Sequence, residues 1–220
     1  MTHTDRLVCS GMAEDPPPTK PPSARERLLL AAFGLIRSKG FNATSVDDLC
    51  AAAGVTKGAF FHHFPSKEAL GAAAAAHWGA VTAPMFAAAP YHAPADPLAR
   101  VLAYVDFRTE LIAGTPAEFS CVAGTLVQEV FATSPPIRAA CNAAICGHAA
   151  TLEADIEAAM AQRGVTGFDP ASLALHTQAV LQGAFILAKA TDDPAVARES
   201  IAHLRRYIAL LFQEPSPGGT

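Results

Sequence analysis

Apolar residues recur at helical spacing along almost the whole chain. Leu28, Leu29, Ala32, Leu35 and Ile36 make one stripe. Ser23, three residues before Glu26, gives it a capping-box start, and Gly40 stops it after Lys39. Thr44 and Ser45 then offer an N-cap to a second helix with Val46, Leu49, Ala52 and Ala53 on one face, which Gly54 breaks. Thr56 can cap a third segment, 56–64, which holds Phe60, Phe61 and Phe64 together with His62 and His63. Pro65-Ser66 ends that segment and caps a fourth helix from Lys67. Two short helices joined by a glycine turn, with apolar residues on their facing sides, form the helix-turn-helix pattern.

From residue 71 onward one helix follows another. Prolines at 84, 90, 94, 97, 116, 135, 136, 170 and 194 act as boundaries. The predicted helices span 97–113, 117–132, 135–162, 170–190 and 194–213. No alternating strand pattern and no repeat of fixed period occurs. The expected fold class is all-α: a three-helix head over 23–70 and a larger helical body over 71–214. D-P-P-P-T-K-P-P predicts a disordered arm over 1–22, and P-S-P-G-G-T predicts a frayed tail over 215–220.

Composition narrows the class. Hydrophobic residues make up 51% and charged ones 16%, much of the excess being alanine, which loses no side-chain entropy in a helix. The alanine-rich stretch 71–89 is interrupted by His77, Trp78 and Pro84, so no membrane span is expected. The N-terminus has no basic region followed by an apolar one, and no signal peptide is expected. Five cysteines without a CxxC pair predict reduced thiols in a cytoplasmic protein. The net charge of −4 hides an asymmetry: residues 23–72 carry +2, while residues 73–220 carry −5. A basic head on an acidic body is the modest electrostatic footprint of nucleic-acid binding.

The aromatic-rich third helix fits that role. Phe60 and Phe64, four apart, can anchor it to the first helix, leaving Lys57, Phe61 and His62 for a duplex. No carboxylate is expected to face phosphate there. Lys67, and Thr44 or Ser45, can offer charge and amides to phosphate at their helix starts. Adjacent His62 and His63 diverge by about 100° on a helix, which disfavours a metal pair. Cys141, Cys146 and His148 share no helical stripe either, so neither a metal nor a cofactor is expected.

Residues 24–70 resemble the tetracycline-repressor (TetR-type) family of bacterial transcriptional regulators. Gly40-Phe41, Thr44-Ser45, Ala52, Gly54-Val55, Gly58, His63-Phe64 and Ser66-Lys67-Glu68-Leu70 carry the resemblance. Phe61 stands where the family usually has a tyrosine, which removes a phosphate-reaching hydroxyl but keeps an apolar surface for a thymine methyl. The resemblance implies a homodimer that binds a palindromic operator in double-stranded DNA, usually to repress, and releases it when a small-molecule effector enters the second domain. Activation is the alternative. It implies a DNA-contact set of Thr44, Ser45, Thr56, Lys57, Gly58, Phe61, His62, His63 and Lys67. It also implies pairing of subunits through helices 170–190 and 194–213, both of which are apolar on more than one side.

The stretch F-S-C-V-A-G-T-L-V-Q-E, residues 119–129, resembles a TetR-type subgroup that responds to electrophilic or aromatic compounds. Cys121 would lie close to the first turn of a helix beginning near Ala117, where amide dipoles favour a thiolate. It is then either a redox or electrophile sensor or a small buried hydrophobe beside Ala123 and Gly124. Polar residues on the apolar helices supply the remaining ligand candidates: Gln128, His148, His176, Gln178, Gln182 and Lys189. An enzyme is not expected. No glycine-rich phosphate loop or nucleophile elbow occurs, and Glu153, Asp155 and Glu157 read as a solvated face.

Overall fold

Ser23 opens the first helix, α1 (Ala24–Lys39), with the capping box expected of it. Its hydroxyl accepts the Glu26 N–H at 3.3 Å, and the Glu26 carboxylate accepts the Ser23 N–H at 2.8 Å. The computed structural model describes residues 21–213. The arm up to residue 20, Cys9 and the tail over 215–220 lie outside them. Ser45 caps α2 (Val46–Ala53) through a reciprocal bond pair with Asp48, and Gly54, at φ +61°, ends it. Thr56 caps α3 (Lys57–His63) by accepting the Ala59 N–H at 3.2 Å.

Leu28, Leu29 and Ile36 of α1, Leu49 of α2, and Phe60 and Phe64 of the third segment are all buried in one core. The anchoring expected of Phe60 and Phe64 is thus present. That core does not stop at the head. It continues through Ala74 and Ala75 of α4 (Lys67–Ala87), Val122 and Leu126 of α7 (Val122–Val130), and Ile137 of α8 (Pro135–Ala150). Gly71 permits the close approach: a Cβ there would sit 2.8 Å from both Ile137 Cδ1 and the Phe41 ring.

A second core joins Tyr104 of α5 (Pro97–Glu110), Ile156 of α9 (Glu153–Arg163), Leu181 of α10 (Pro170–Thr191) and Ile201 of α11 (Pro194–Leu211). A short 3-10 turn at Pro90–His92 links α4 to α5, and α6 (Pro116–Phe119) precedes α7. No strand occurs among the described residues.

Three boundaries differ from expectation. Pro84 does not end α4, which runs on to Ala87. A proline removes one backbone bond and crowds the preceding turn, which can kink a helix without ending it; the Pro84 carbonyl still accepts the Ala88 N–H at 3.0 Å. The helix expected over 117–132 is broken at Ser120-Cys121, both extended, and Cys121 becomes the N-cap of α7. The helix expected over 135–162 is broken at Thr151-Leu152. There the Thr151 hydroxyl and backbone N–H both take the His148 carbonyl, at 2.7 and 3.2 Å. A side chain competing for a backbone acceptor is a known route to ending a helix. By length and composition, α10 could cross a membrane, alone among the described residues. Its buried side, with Leu173, Leu181 and Phe185, belongs to the protein core.

Candidate DNA interface and effector cavity

The head presents the α3 surface much as its sequence suggests. Thr56, Lys57, Gly58, Phe61 and His62 are exposed, His63 is half-buried, and Ser45 is exposed at the start of α2. Phe61 keeps 54% of its surface open. A Cβ on Gly58 would meet nothing closer than Thr56 Oγ1 at 3.8 Å. No packing against described residues requires glycine there.

Three expectations need correction. Thr44 is 1% exposed, and its hydroxyl donates to the Gly40 carbonyl at 2.6 Å, so its side chain does not face outward. Lys67 is turned inward as well. Its ammonium donates to the carbonyls of Phe41 (3.0 Å), Thr44 (3.0 Å) and Asn42 (3.4 Å), and it lies 4.5 Å from the Phe41 ring centre. It ties down the α1–α2 loop, which otherwise has three carbonyls without partners from a regular helix. Lys57 does have a carboxylate neighbour: Asp47 lies 2.8 Å away, both side chains being largely exposed. That hydrogen bond raises the Lys57 pKa and offsets its charge towards phosphate.

The body holds a cavity of about 240 Å³ whose lining includes Trp78, Phe86, Arg108, Cys121, His148, Gln178 and Gln182. Four expected ligand residues are therefore brought together: Cys121, His148, Gln178 and Gln182. Gln128 and Lys189 line an adjoining depression of about 260 Å³, which shares Cys121 and Gln182 with the first. His176 lines neither. It is exposed on α10, its ring 5.3 Å from that of Tyr207 on α11, because its helical position points away from the body.

Beside the first cavity the buried Tyr104 hydroxyl, bonded to three of its lining residues, has its hydrogen-bonding capacity filled. It accepts from Arg108 Nη1 at 3.0 Å and from Gln178 Nε2 at 2.7 Å. Its own proton is then directed to His148 Nε2, 3.0 Å away. His148 must accept there, so its proton sits on Nδ1. Burial, helped by the Arg108 charge, pushes the His148 pKa down to about 4, keeping the ring neutral. Asp155 is no solvated carboxylate: it receives Arg100 at 2.7 and 2.9 Å. Cys141 is buried and its thiol is pushed up to about 12, whereas Cys146 is exposed. No cluster of metal-ligating residues forms among the described residues.

The path from cavity to head is short. Trp78, on the cavity wall, packs edge-on against Phe33 of α1 with ring centres 5.2 Å apart. Arg37 of α1 donates to the Glu118 carbonyl at 2.5 Å. At the far end of α7, Glu129 accepts the N–H groups of Phe41 and Asn42 at 2.9 and 2.8 Å.

This architecture has relatives. Residues 28–74 match the family model for bacterial regulatory proteins of the tetR family, and residues 97–204 match the tetracyclin repressor-like C-terminal domain. The chain belongs to the tetR family. Its head is 41% identical over 59 residues to the HTH-type transcriptional repressor KstR2 of Mycolicibacterium smegmatis, covering 27% of this chain and 28% of that one. A longer match, 30% over 117 residues, joins it to the transcriptional regulator AcuR of Cereibacter sphaeroides and covers 53% of each. The match thus spans about half the length of AcuR and less of KstR2. A TetR-family regulator from Agrobacterium tumefaciens superposes with a TM-score of 0.73 at 24% identity, covering 84% of this chain and 96% of that one.

TetR-family members are DNA-binding transcriptional regulators and not enzymes, so His148 needs no catalytic role. Arg108, which lines the cavity, and Tyr104, which bonds to it, escape a reading of the sequence for stranded polar groups. Arg108 was nevertheless marked by position. With Val101, Tyr104 and Val105 it falls on the inward stripe of α5, where a charged residue is out of place.

Proposed function

We propose that this chain is an effector-responsive repressor that acts as a homodimer on a palindromic operator. Residues 23–70 form its reading head, and residues 71–214 form its sensing and pairing body. The observation that carries the reading is the course of α7. It begins just after its N-cap, Cys121, on the cavity wall and runs to Val130, with the Glu129 carboxylate in its last turn holding the α1–α2 loop. Packed elements shift as units, so a ligand that displaces the start of α7, or Trp78 on α4, is felt in the head. In a dimer this alters the spacing of the two reading helices, which must match half-sites about one helical turn apart.

Pairing is supported by apolar surface on the last two helices. Leu175, Ile186 and Leu187 of α10 and Tyr207 and Leu210 of α11 are each 45–59% exposed. His176 meets Tyr207 edge-on at this same face and belongs to pairing, not to ligand binding. The face also accounts for the apolar character of α10 without a membrane.

A gel-shift with duplex taken from upstream of the chain's own gene tests the reading, together with light scattering of the free protein. A specific shift by a dimer is expected. A monomer, or binding that competitor DNA abolishes equally on every sequence, overturns it.

One observation favours a thiol-sensing form of the same regulator. Cys121 is half-buried and lines both cavities, with its Sγ accepting the Gly124 N–H at 3.4 Å. If a C121S variant releases operator on exposure to reactive aldehydes or quinones as the parent does, that form is wrong.

A further inference from the structure

Arg108 is the one buried cationic side chain among the described residues, with 9% of its surface exposed. No carboxylate lies within ion-pairing distance of it there. Three more exposed arginines have a carboxylate at 2.7 Å: Arg100 with Asp155, Arg163 with Asp96 and Arg205 with Asp106. Others, such as Arg37 and Arg198, bond to backbone carbonyls and stay in reach of water. An unmatched charge taken out of water is unfavourable, and proteins keep one where something else supplies the balance. Rings surround it instead: Phe86, Tyr104 and Phe185 lie 5.3, 5.8 and 5.9 Å from its guanidinium carbon.

We propose that the cavity binds a small carboxylate with an apolar body, and that Arg108 takes the carboxylate. Both hydrogen bonds that Arg108 makes to described residues use Nη1. The edge formed by Nε and Nη2 is free of described partners, and that edge grips a carboxylate with two parallel bonds. Tyr104 holds the opposite side of the guanidinium and so fixes its plane. Glu118 also lines the cavity, but its carboxylate is held by the Thr115 N–H and hydroxyl at 2.7 and 2.8 Å. Trp78, Phe86, Leu111, Ile112, Phe119 and Ile145 supply apolar walls, which a bare inorganic anion would leave unsatisfied. A cavity of about 150 Å³ suffices for benzene, so about 240 Å³ accommodates one ring with its acid group.

The inference rests on the effector-responsive reading above. Its test compares benzoate, phenylacetate and cyclohexanecarboxylate with their primary amides, and with inorganic phosphate, using calorimetric titration and melting of the full chain. The acids should bind at least about tenfold more tightly than their amides, raise the melting temperature and dissociate the operator complex. Phosphate should do none of these. In R108Q the preference for acid over amide should disappear, and the free variant should melt no lower than the parent. Four results overturn the proposal: amides that bind as well as acids, phosphate that binds as well as the acids, no acid that binds, or an R108Q variant that keeps the preference. Failure of the underlying reading is separate, since it would show as a free protein that does not recognise its operator.

Discussion

The carboxylate of Glu129, in the last turn of α7, accepts the backbone N–H of Phe41 at 2.9 Å, bridging body and reading head. Its second oxygen takes the N–H of Asn42. E129A should destabilise the protein by about 1–3 kcal/mol, the usual range when buried or part-buried donors lose a charged acceptor. Effector-driven operator release should weaken more than operator binding itself. Denaturant melts and anisotropy titrations with and without effector would check both.

Lys67 and Lys57 should part company. K67A removes three hydrogen bonds to the α1–α2 loop and should lower stability by about 1–3 kcal/mol, yet leave the salt slope of operator binding unchanged. K57A should leave stability alone and reduce that slope by about 0.9, the share of one phosphate contact. D47N, which frees Lys57 from its neighbour, should tighten binding. Affinity measured over a range of salt concentrations separates these outcomes.

G58A should split stability from affinity. Outside its own helix backbone the added methyl meets no described atom closer than 3.8 Å, and alanine favours a helix over glycine by up to about 1 kcal/mol. The variant should melt at the parent's temperature or above it while binding operator more weakly. Equal affinity would place the α3 backbone away from the duplex.

His148 should make stability sensitive to acid. Its folded pKa of about 4 lies below the ordinary 6.5. Between those values the unfolded chain holds a proton that the folded one does not, so stability falls as pH drops from about 6.5 to about 4 and levels off below. The shift corresponds to about 3 kcal/mol at most. H148Q keeps an acceptor for Tyr104 but does not titrate, so its melting temperature should fall less over this window. Parallel melts of the two proteins at pH 7.5, 6, 5 and 4.5 provide the comparison.

The head was legible because its signals are local. Ser23 with Glu26, Ser45 with Asp48, and Thr56 with Ala59 are pairs three residues apart, and Gly54 needs only its own φ. The spacing of Phe60 and Phe64 sufficed to predict their burial. Lys67 was misread because its ammonium reaches back 23 residues to the α1–α2 loop, which no local pattern records. Thr44 was misread because its hydroxyl turns back to the Gly40 carbonyl while Ser45 takes the cap. The cavity was partly legible for a related reason. Polar residues on apolar helices marked Gln178, Gln182 and His148, but the same rule admitted His176, since sequence spacing does not tell an inward face from an outward one. Arg108 sits on the inward stripe of α5, but its lack of a carboxylate partner among the described residues shows only once the helices are packed. The break at Thr151 depends on one hydroxyl choosing a carbonyl, a competition that helix propensity does not decide.

Because Ile137, Val122 and Leu126 fill the same core as Leu28 and Phe60, the reading head is not an interchangeable cartridge. A chimaera that grafts residues 23–70 onto a foreign body would strip apolar side chains of their neighbours and leave the Phe41 and Asn42 amides without an acceptor. To swap operator specificity between regulators of this shape, the graft should stop at the outer surface of α3 and leave the seam beneath it in place.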